Sequence, residues 1–477
     1  MVKLPLVKGV LNYVSEDNIS FSTPGHKAGK GFMSTEEGEE FYKELVKCDL
    51  TEVEGLDNLH NPKGIIKAAQ EKLSQFYESK SSYFLVNGST SGNLTMIFSA
   101  FNEGDKVIVE RNCHKSIFNG IILRKLKPIY IKNKINHKFD APLSIDGEHF
   151  LNILKDNEDA KGIIITYPNY YGVCANLKFI INEASKRKMK VLVDAAHGAH
   201  FGVTKNLPEN PLKIGADMVV MSSHKTLPSL TQTAFLHVGA GIPIERVELY
   251  LRMFLSTSPS YILMCSMDYA RFYLEYKGKQ EYEKLINIAE KYRTKINEIK
   301  GLHIIGREDL KGEDNLVDPT RYVLNIEKGY SAAALSDYLR KNKIQPEMND
   351  GQNVILIFSP FNEEEDFKKL YEVLKNCDIK KLKVDYCNIL NHNIPKSMAI
   401  PYEVIDKVAE YINLQEVEGR ICAESIIPYP PGIPLVNLGE VIDDDTINAI
   451  KYYVNNKIDV IGVLKSEKNY SVKVIKA

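Results

Sequence analysis

The chain of 477 residues has almost no charge excess: 61 Lys and Arg stand against 62 Asp and Glu, a formal net charge of −1. Without a basic surplus there is no electrostatic case for nucleic acid or an anionic membrane surface as a partner. The sequence also lacks any unbroken apolar run of the ~18 to 20 residues that a membrane span needs, and Met1 to Asn18 has no signal-type apolar stretch. A soluble, cytoplasmic protein is the expectation. Cysteine is sparse. The seven, Cys48, Cys113, Cys174, Cys265, Cys377, Cys387 and Cys422, are scattered without a Cys-x-x-Cys pair, which favours reduced thiols over disulfides or a zinc or other metal site. Repeats and low-complexity tracts are absent. What remains, 44% hydrophobic and 26% charged, suits a globular chain with a large core and two or three domains.

Residues 1–60 read as an N-terminal arm that ends in a polar, turn-rich stretch, Glu52 to Pro62, suited to the edge of a site. Over 61–300 short apolar strands alternate with amphipathic helices. Strands are expected at Lys106 to Glu110, Pro128 to Ile131, Gly162 to Tyr167, Lys190 to Asp194 and Ala216 to Met221. Such alternation predicts an α/β domain with a mainly parallel sheet covered on both faces, its ligands gathered at the carboxyl ends of the strands. A long charged helix is expected from about Met267 to Ile299. Residues 301–380 read as a small α+β domain, with strands at Arg321 to Ile326 and Asn353 to Phe358 and with Ser331 and Asn362 as helix N-caps. The remainder, 381–477, is a C-terminal subdomain that contains the turn Pro430-Pro431-Gly432.

Chemistry concentrates at strand ends. The apolar run Ala216 to Met221 leads into Ser222-Ser223-His224-Lys225, and Val191-Leu192-Val193 leads into Asp194-Ala195-Ala196-His197-Gly198. Lysine is mostly a solvated surface residue, but an amine and a carboxylate at comparable sheet edges are the parts of a pyridoxal phosphate site. There a lysine links to the cofactor's aldehyde and an acid keeps the pyridine nitrogen protonated. Gly88-Ser89-Thr90-Ser91-Gly92-Asn93, a glycine and hydroxyl loop between Tyr83 to Val86 and an apolar helix-like run, offers N–H groups and a helix dipole to the phosphate. On its own that loop reads more readily as an ordinary capped turn; Ser222 and His224 as further phosphate partners tip it to the functional reading. His114, after the strand Lys106 to Glu110, is placed either to lie flat on a cofactor ring or to cap a helix.

The combination Thr23-Pro24-Gly25-His26-Lys27, Gly88 to Gly92, His114-Lys115-Ser116, Asp194 to Gly198, Ser222 to Lys225 and Tyr429-Pro430-Pro431-Gly432-Ile433-Pro434 resembles the bacterial ornithine/lysine/arginine decarboxylases. These are pyridoxal phosphate enzymes of fold type I, with an aspartate aminotransferase-like large domain. The resemblance covers nearly the whole chain, with the motifs in the family's order. Since Pro24-Gly25-His26 arrives so early, the chain is similar to the short form that has no N-terminal receiver-like domain.

By resemblance, Lys225 is the cofactor-linked lysine, Asp194 the pyridinium partner and His114 the stacking histidine. His197 and His224 join them as catalytic candidates, with Lys225, His224 or His197 as proton donor to the substrate carbon. Gly88, Ser89, Thr90, Ser91, Ser222 and His224 fall on the phosphate, and Ala196 and His197 beside the ring. Fold type I sites are usually completed across a dimer, so Thr257 or Ser258, in Ser256 to Tyr261, is expected to reach the partner subunit's phosphate; a homodimer or higher even oligomer follows. A basic amino-acid substrate needs an acidic pocket end, for which Glu424 is the first candidate and Asp57 the second, with His26 also in the substrate set. Arginine is the first substrate choice, giving agmatine for polyamine metabolism, then lysine, then ornithine. The alternatives are an aminotransferase or β-lyase of the same fold, for which Arg321 or Arg420 would clamp the α-carboxylate, and a non-catalytic cofactor-binding regulator.

Overall fold

The computed structural model describes residues 3–310, 316–384, 394–429, 432–455, 458–466 and 469–476. Pro430, Pro431 and Cys387 lie outside them. Seven strands build the main sheet: β1 (Ser81–Leu85), β2 (Lys106–Glu110), β3 (Lys127–Ile131), β4 (Gly162–Thr166), β5 (Lys190–Asp194), β6 (Met218–Met221) and β7 (Ala234–Val238). Their order is β1-β7-β6-β5-β4-β2-β3. β7 runs antiparallel to both neighbours, and the other pairs are parallel. Every residue of β4, β6 and β7 is buried, because helices cover both faces of the sheet. Glycine permits the close packing of helix α1 (Gly88–Ala100) on the sheet: a Cβ on Gly92 would lie 2.6 Å from Leu85 Cδ1.

Out of the large domain runs a helical passage that begins earlier than its charge pattern suggested. It comprises α3 (Tyr261–Tyr273), a π-turn at Leu274–Gly278 and α4 (Lys279–Asn297), following α2 (Lys115–Leu123) in the chain. An antiparallel sheet follows, ordered β8-β9-β11-β10, from β8 (Leu302–Ile304), β9 (Arg321–Ile326), β10 (Met348–Asn349) and β11 (Asn353–Ile357). Against it lie α5 (Ala332–Lys341) and α6 (Glu364–Lys375). Ser331 caps α5 by accepting from Ala334 N at 3.1 Å. The N-cap of α6 is Glu363, in a capping box with Asp366, and not Asn362. Asn362 instead donates to Ser20 O at 3.0 Å, which ties the N-terminal segment down.

That segment is integrated rather than free. Ile19–Phe21 pairs in parallel with Ile344–Pro346. Past the strand, Gly25 N donates to His224 O at 2.7 Å and Gly25 O accepts from Ser359 Oγ at 2.6 Å. A Cβ at Gly25 would lie 2.6 Å from Leu227 N, so only glycine permits this crossing. The C-terminal subdomain has its own apolar core, including Val417, Cys422, Ile426, Ile442, Ile450 and Val472. It carries the sheet β12-β14-β13, built from β12 (Ala409–Asn413), β13 (Val463–Lys465) and β14 (Tyr470–Ile475). Among the described residues no helix is long and apolar enough to cross a membrane.

Candidate active site

Two neighbouring strand ends create the site. Asp194 closes β5 and pairs in register with Val220 of β6, from which Ser222 leads into the short helix Ser223–Thr226 carrying Lys225. Asp194 is 2% exposed. Its Oδ2 accepts from Asn93 Nδ2 at 2.8 Å and its Oδ1 from Ala196 N at 3.0 Å. Burial raises its pKa, while Asn93 and the Lys225 charge oppose the rise. Asn93, on α1, also donates to Ser116 Oγ at 2.8 Å, and Ser116 Oγ lies 2.9 Å from His114 Nδ1. One buried amide thereby ties the acid to the histidine expected to stack.

Lys225 Nζ is 3.0 Å from His197 Nε2 and 5.7 Å from the centre of the Tyr170 ring. Desolvation lowers the amine's pKa, Asp194 and Glu347 oppose that, and Arg321 adds to it. Both His197 and His114 stay neutral at physiological pH. Burial, then the Lys225 charge, drives His197 well below its ordinary value and His114 to about 3. His224 is brought to about 4, chiefly by burial, and its Nδ1 lies 2.8 Å from Thr233 O. His26 also falls to about 4, through burial and then the Lys27 charge, and its Nδ1 accepts from Gly29 N at 2.9 Å.

The residues present fit pyridoxal phosphate. Among the described residues, Ser222 Oγ, His197 Nδ1 and Asn93 Oδ1 are buried polar atoms with no protein partner, a costly arrangement that a polar ligand relieves. Gly88, at φ +74°, opens α1 itself, so Ser89 and Thr90 stand in its first turn with their N–H groups outside the helical ladder. Ser91 belongs to the same turn, but its hydroxyl donates to Gly88 O at 2.8 Å. Thr257 and Ser258 are exposed at the rim, where Ser256 N donates to Asn87 Oδ1 at 3.1 Å.

Other expected residues have different surroundings. Asp57 ties its own turn to a helix: its carboxylate accepts from the N–H groups of Asn58, Lys63 and Gly64 and from those of Ile66 and Lys67 in the first turn of the helix Ile65–Tyr77. Those bonds engage both of its oxygens before any substrate arrives. Glu424 is half-buried in the C-terminal subdomain, where its backbone carbonyl accepts from Cys422 Sγ at 2.9 Å. Arg321 is close to the site, yet its guanidinium is engaged by Asp318 Oδ2 at 3.1 and 3.3 Å, Tyr170 O at 3.0 Å and His197 O at 3.4 Å. Arg420 holds Glu410 and Ile475 O, each at 2.9 Å.

Glu347 was missed by the sequence reading. It follows Ile344–Pro346, and its Oε2 accepts from Thr23 N at 2.8 Å. Only the parallel pairing of Ile19–Phe21 with that segment brings it into the Lys225 field, and no local pattern announces such a pairing. Lys27 is buried beside it, donating to Ile357 O at 3.0 Å, with burial lowering its pKa to about 7.

An amine and an acid on adjacent parallel strand ends, within this strand order, define a pyridoxal phosphate-dependent enzyme of fold type I. The Orn/Lys/Arg decarboxylase major-domain model matches residues 4–366 and the C-terminal-domain model matches 384–457, so the chain belongs to the Orn/Lys/Arg decarboxylase family. It is 35% identical over 469 residues to the YaaO protein of Bacillus subtilis, covering 97% of this chain and 96% of that one. An arginine decarboxylase of Bacillus subtilis is 33% identical over 480 residues, covering 99% of this chain and 98% of its own length. Among solved structures, the constitutive lysine decarboxylase of Escherichia coli superposes with a TM-score of 0.76 at 20% identity, covering 99% of this chain and 82% of that one.

Proposed function

We propose that this enzyme decarboxylates a basic L-amino acid, arginine first, yielding agmatine, with lysine and ornithine next. Pyridoxal phosphate, when bound, supplies the electron sink for the pair left as the Cα–carboxylate bond breaks. Lys225 would tether it, Asp194 would hold the ring nitrogen protonated, and Ser222, His224 and the first turn of α1 would take the phosphate. His197 keeps Lys225 Nζ oriented at 3.0 Å, and either group can carry the proton delivered to Cα.

The observation that carries the choice of reaction is the engagement of Arg321. A transaminase commonly retains the α-carboxylate on an arginine; here that guanidinium is wholly buried and bound to Asp318. An unclamped carboxylate is free to leave. For the basic head group, Glu424 stays the first candidate, and Glu347, whose Oε2 accepts from Thr23 N at 2.8 Å, is a further acid near the Lys225 amine. We propose a homodimer or higher even oligomer in the cytoplasm; a partner subunit is supported by the helix Pro5–Ser15, which has no buried residue while Leu6 and Val14 are 78% and 65% exposed. In such a dimer Thr257 or Ser258 would meet the partner subunit's phosphate. The division into 1–60, 61–300, 301–380 and 381–477 remains our reading, supported by the separate C-terminal core.

The test is CO2 release from arginine, lysine and ornithine by holoenzyme without added keto acid. Release with one of them, with its amine as product, is expected. A keto-acid product would contradict the assignment.

A further inference from the structure

We propose that Arg111 and Glu440 form a latch through which the C-terminal subdomain positions His114. The proposal rests on reading His114 as the imidazole that lies against the cofactor ring. Arg111 is the first residue after β2, three before His114. Its two terminal nitrogens meet the two Glu440 oxygens at 2.9 and 2.8 Å, and the side chains are 10% and 1% exposed. The same guanidinium donates to Leu435 O at 3.1 Å and sits 5.1 Å from the centre of the Tyr130 ring. Glu440 Oε2 also accepts from Asn437 N at 2.7 Å, which fixes its own loop.

The other end of that loop touches the same segment. Gly432 O accepts from Lys115 N, the residue after His114, at 3.2 Å. One loop of the C-terminal subdomain thus grips the histidine's segment on both sides. From within the large domain, Glu110 completes the hold, accepting from Thr166 N at 2.7 Å and from Asn133 Nδ2 at 2.6 Å. Ser116 holds Nδ1 of the His114 ring, so the backbone on either side of the histidine sets where the ring sits.

A buried bidentate pair imposes direction and spacing that apolar packing does not. Its location, at the root of a strand exit and between two separate cores, makes orientation its consequence. Neither residue bonds to Lys225, Asp194 or His197 among the described contacts, so both are positioning residues.

Glu440→Gln and Arg111→Lys, each alone and combined with His114→Ala, test this in the full holoenzyme. The readouts are kcat, KM for the preferred basic amino acid, and the visible circular dichroism of the bound cofactor. Expected is a loss in kcat of about tenfold for Glu440→Gln with KM within about twofold, a changed dichroic band, and less than about twofold further loss in the His114→Ala background. Arg111→Lys keeps the charge but not the fork, and it reports the same coupling should Glu440→Gln fold poorly. Losses that multiply with that of His114→Ala, or a wild-type kcat and dichroic band in both single variants, overturn the latch. If His114→Ala itself keeps wild-type kcat and dichroism, the reading of His114 fails first and the latch falls with it.

Discussion

Asp194 is a carboxylate at 2% exposure whose two oxygens are met by an amide side chain and a backbone N–H, so its orientation is set before any ligand arrives. Asp194→Asn keeps the shape and removes the charge; kcat should fall by about 100-fold or more, since a preorganised charge is lost where charge develops. Stopped-flow turnover with folding checked by circular dichroism measures this, and near-normal rates would contradict the role. Lys225→Ala should abolish turnover yet still bind the cofactor reversibly, checked by dialysis and absorbance. The placing of Asp194 and Lys225 at neighbouring strand ends was legible from sequence, because a polar residue that ends an apolar strand is marked by the strand itself. Glu347 was not, since its approach depends on a parallel pairing between segments more than 300 positions apart. The surroundings of Asp57 were equally hidden: a carboxylate in a turn-rich stretch looks available, and its five amide partners are visible only in the structure.

At the scale of elements, the buried strands were readable because parallel strands covered on both faces must be apolar throughout. β7 carries the same apolar signature, and only its hydrogen-bond partners reveal its reversed direction. The passage from α3 to α4 was read too short because Tyr261 to Met267 has none of the charge by which the helix was recognised; Ser260 caps its start, accepting from Leu263 N. Ser331 was legible as a cap and Asn362 was not distinguished from Glu363, which has the partner three residues on that a capping box requires. Ser331→Ala should cost about 1 kcal/mol in denaturant unfolding by removing the bond to Ala334 N. An unchanged midpoint would contradict that cap's contribution.

Across the whole molecule, buried histidines dominate the response to acid. His26 and His224 titrate at about 4, and His114 and His237 at about 3, each lowered first by burial from the ordinary 6.5. The unfolded chain therefore binds more protons than the folded one as pH falls below 6.5. Their stabilising contribution is complete above that value and is lost on acidification through the folded values. Three acids oppose them: burial raises Glu110 from 4.5 to about 7 and also lifts Asp194 and Asp350, so each takes up its proton first in the folded state. With His197 lowered as well, the histidines outnumber these acids, and the melting temperature of the apoprotein should fall from pH 7 to pH 5 in calorimetry. A flat profile would contradict the neutral, buried assignment.

The chemistry proposed for this site requires a covalent tether for the cofactor at one lysine. Borohydride reduction of the holoenzyme followed by peptide mapping tests that tether most directly. A single pyridoxyl label, on Lys225, is expected; a label on another lysine, or none, would contradict it.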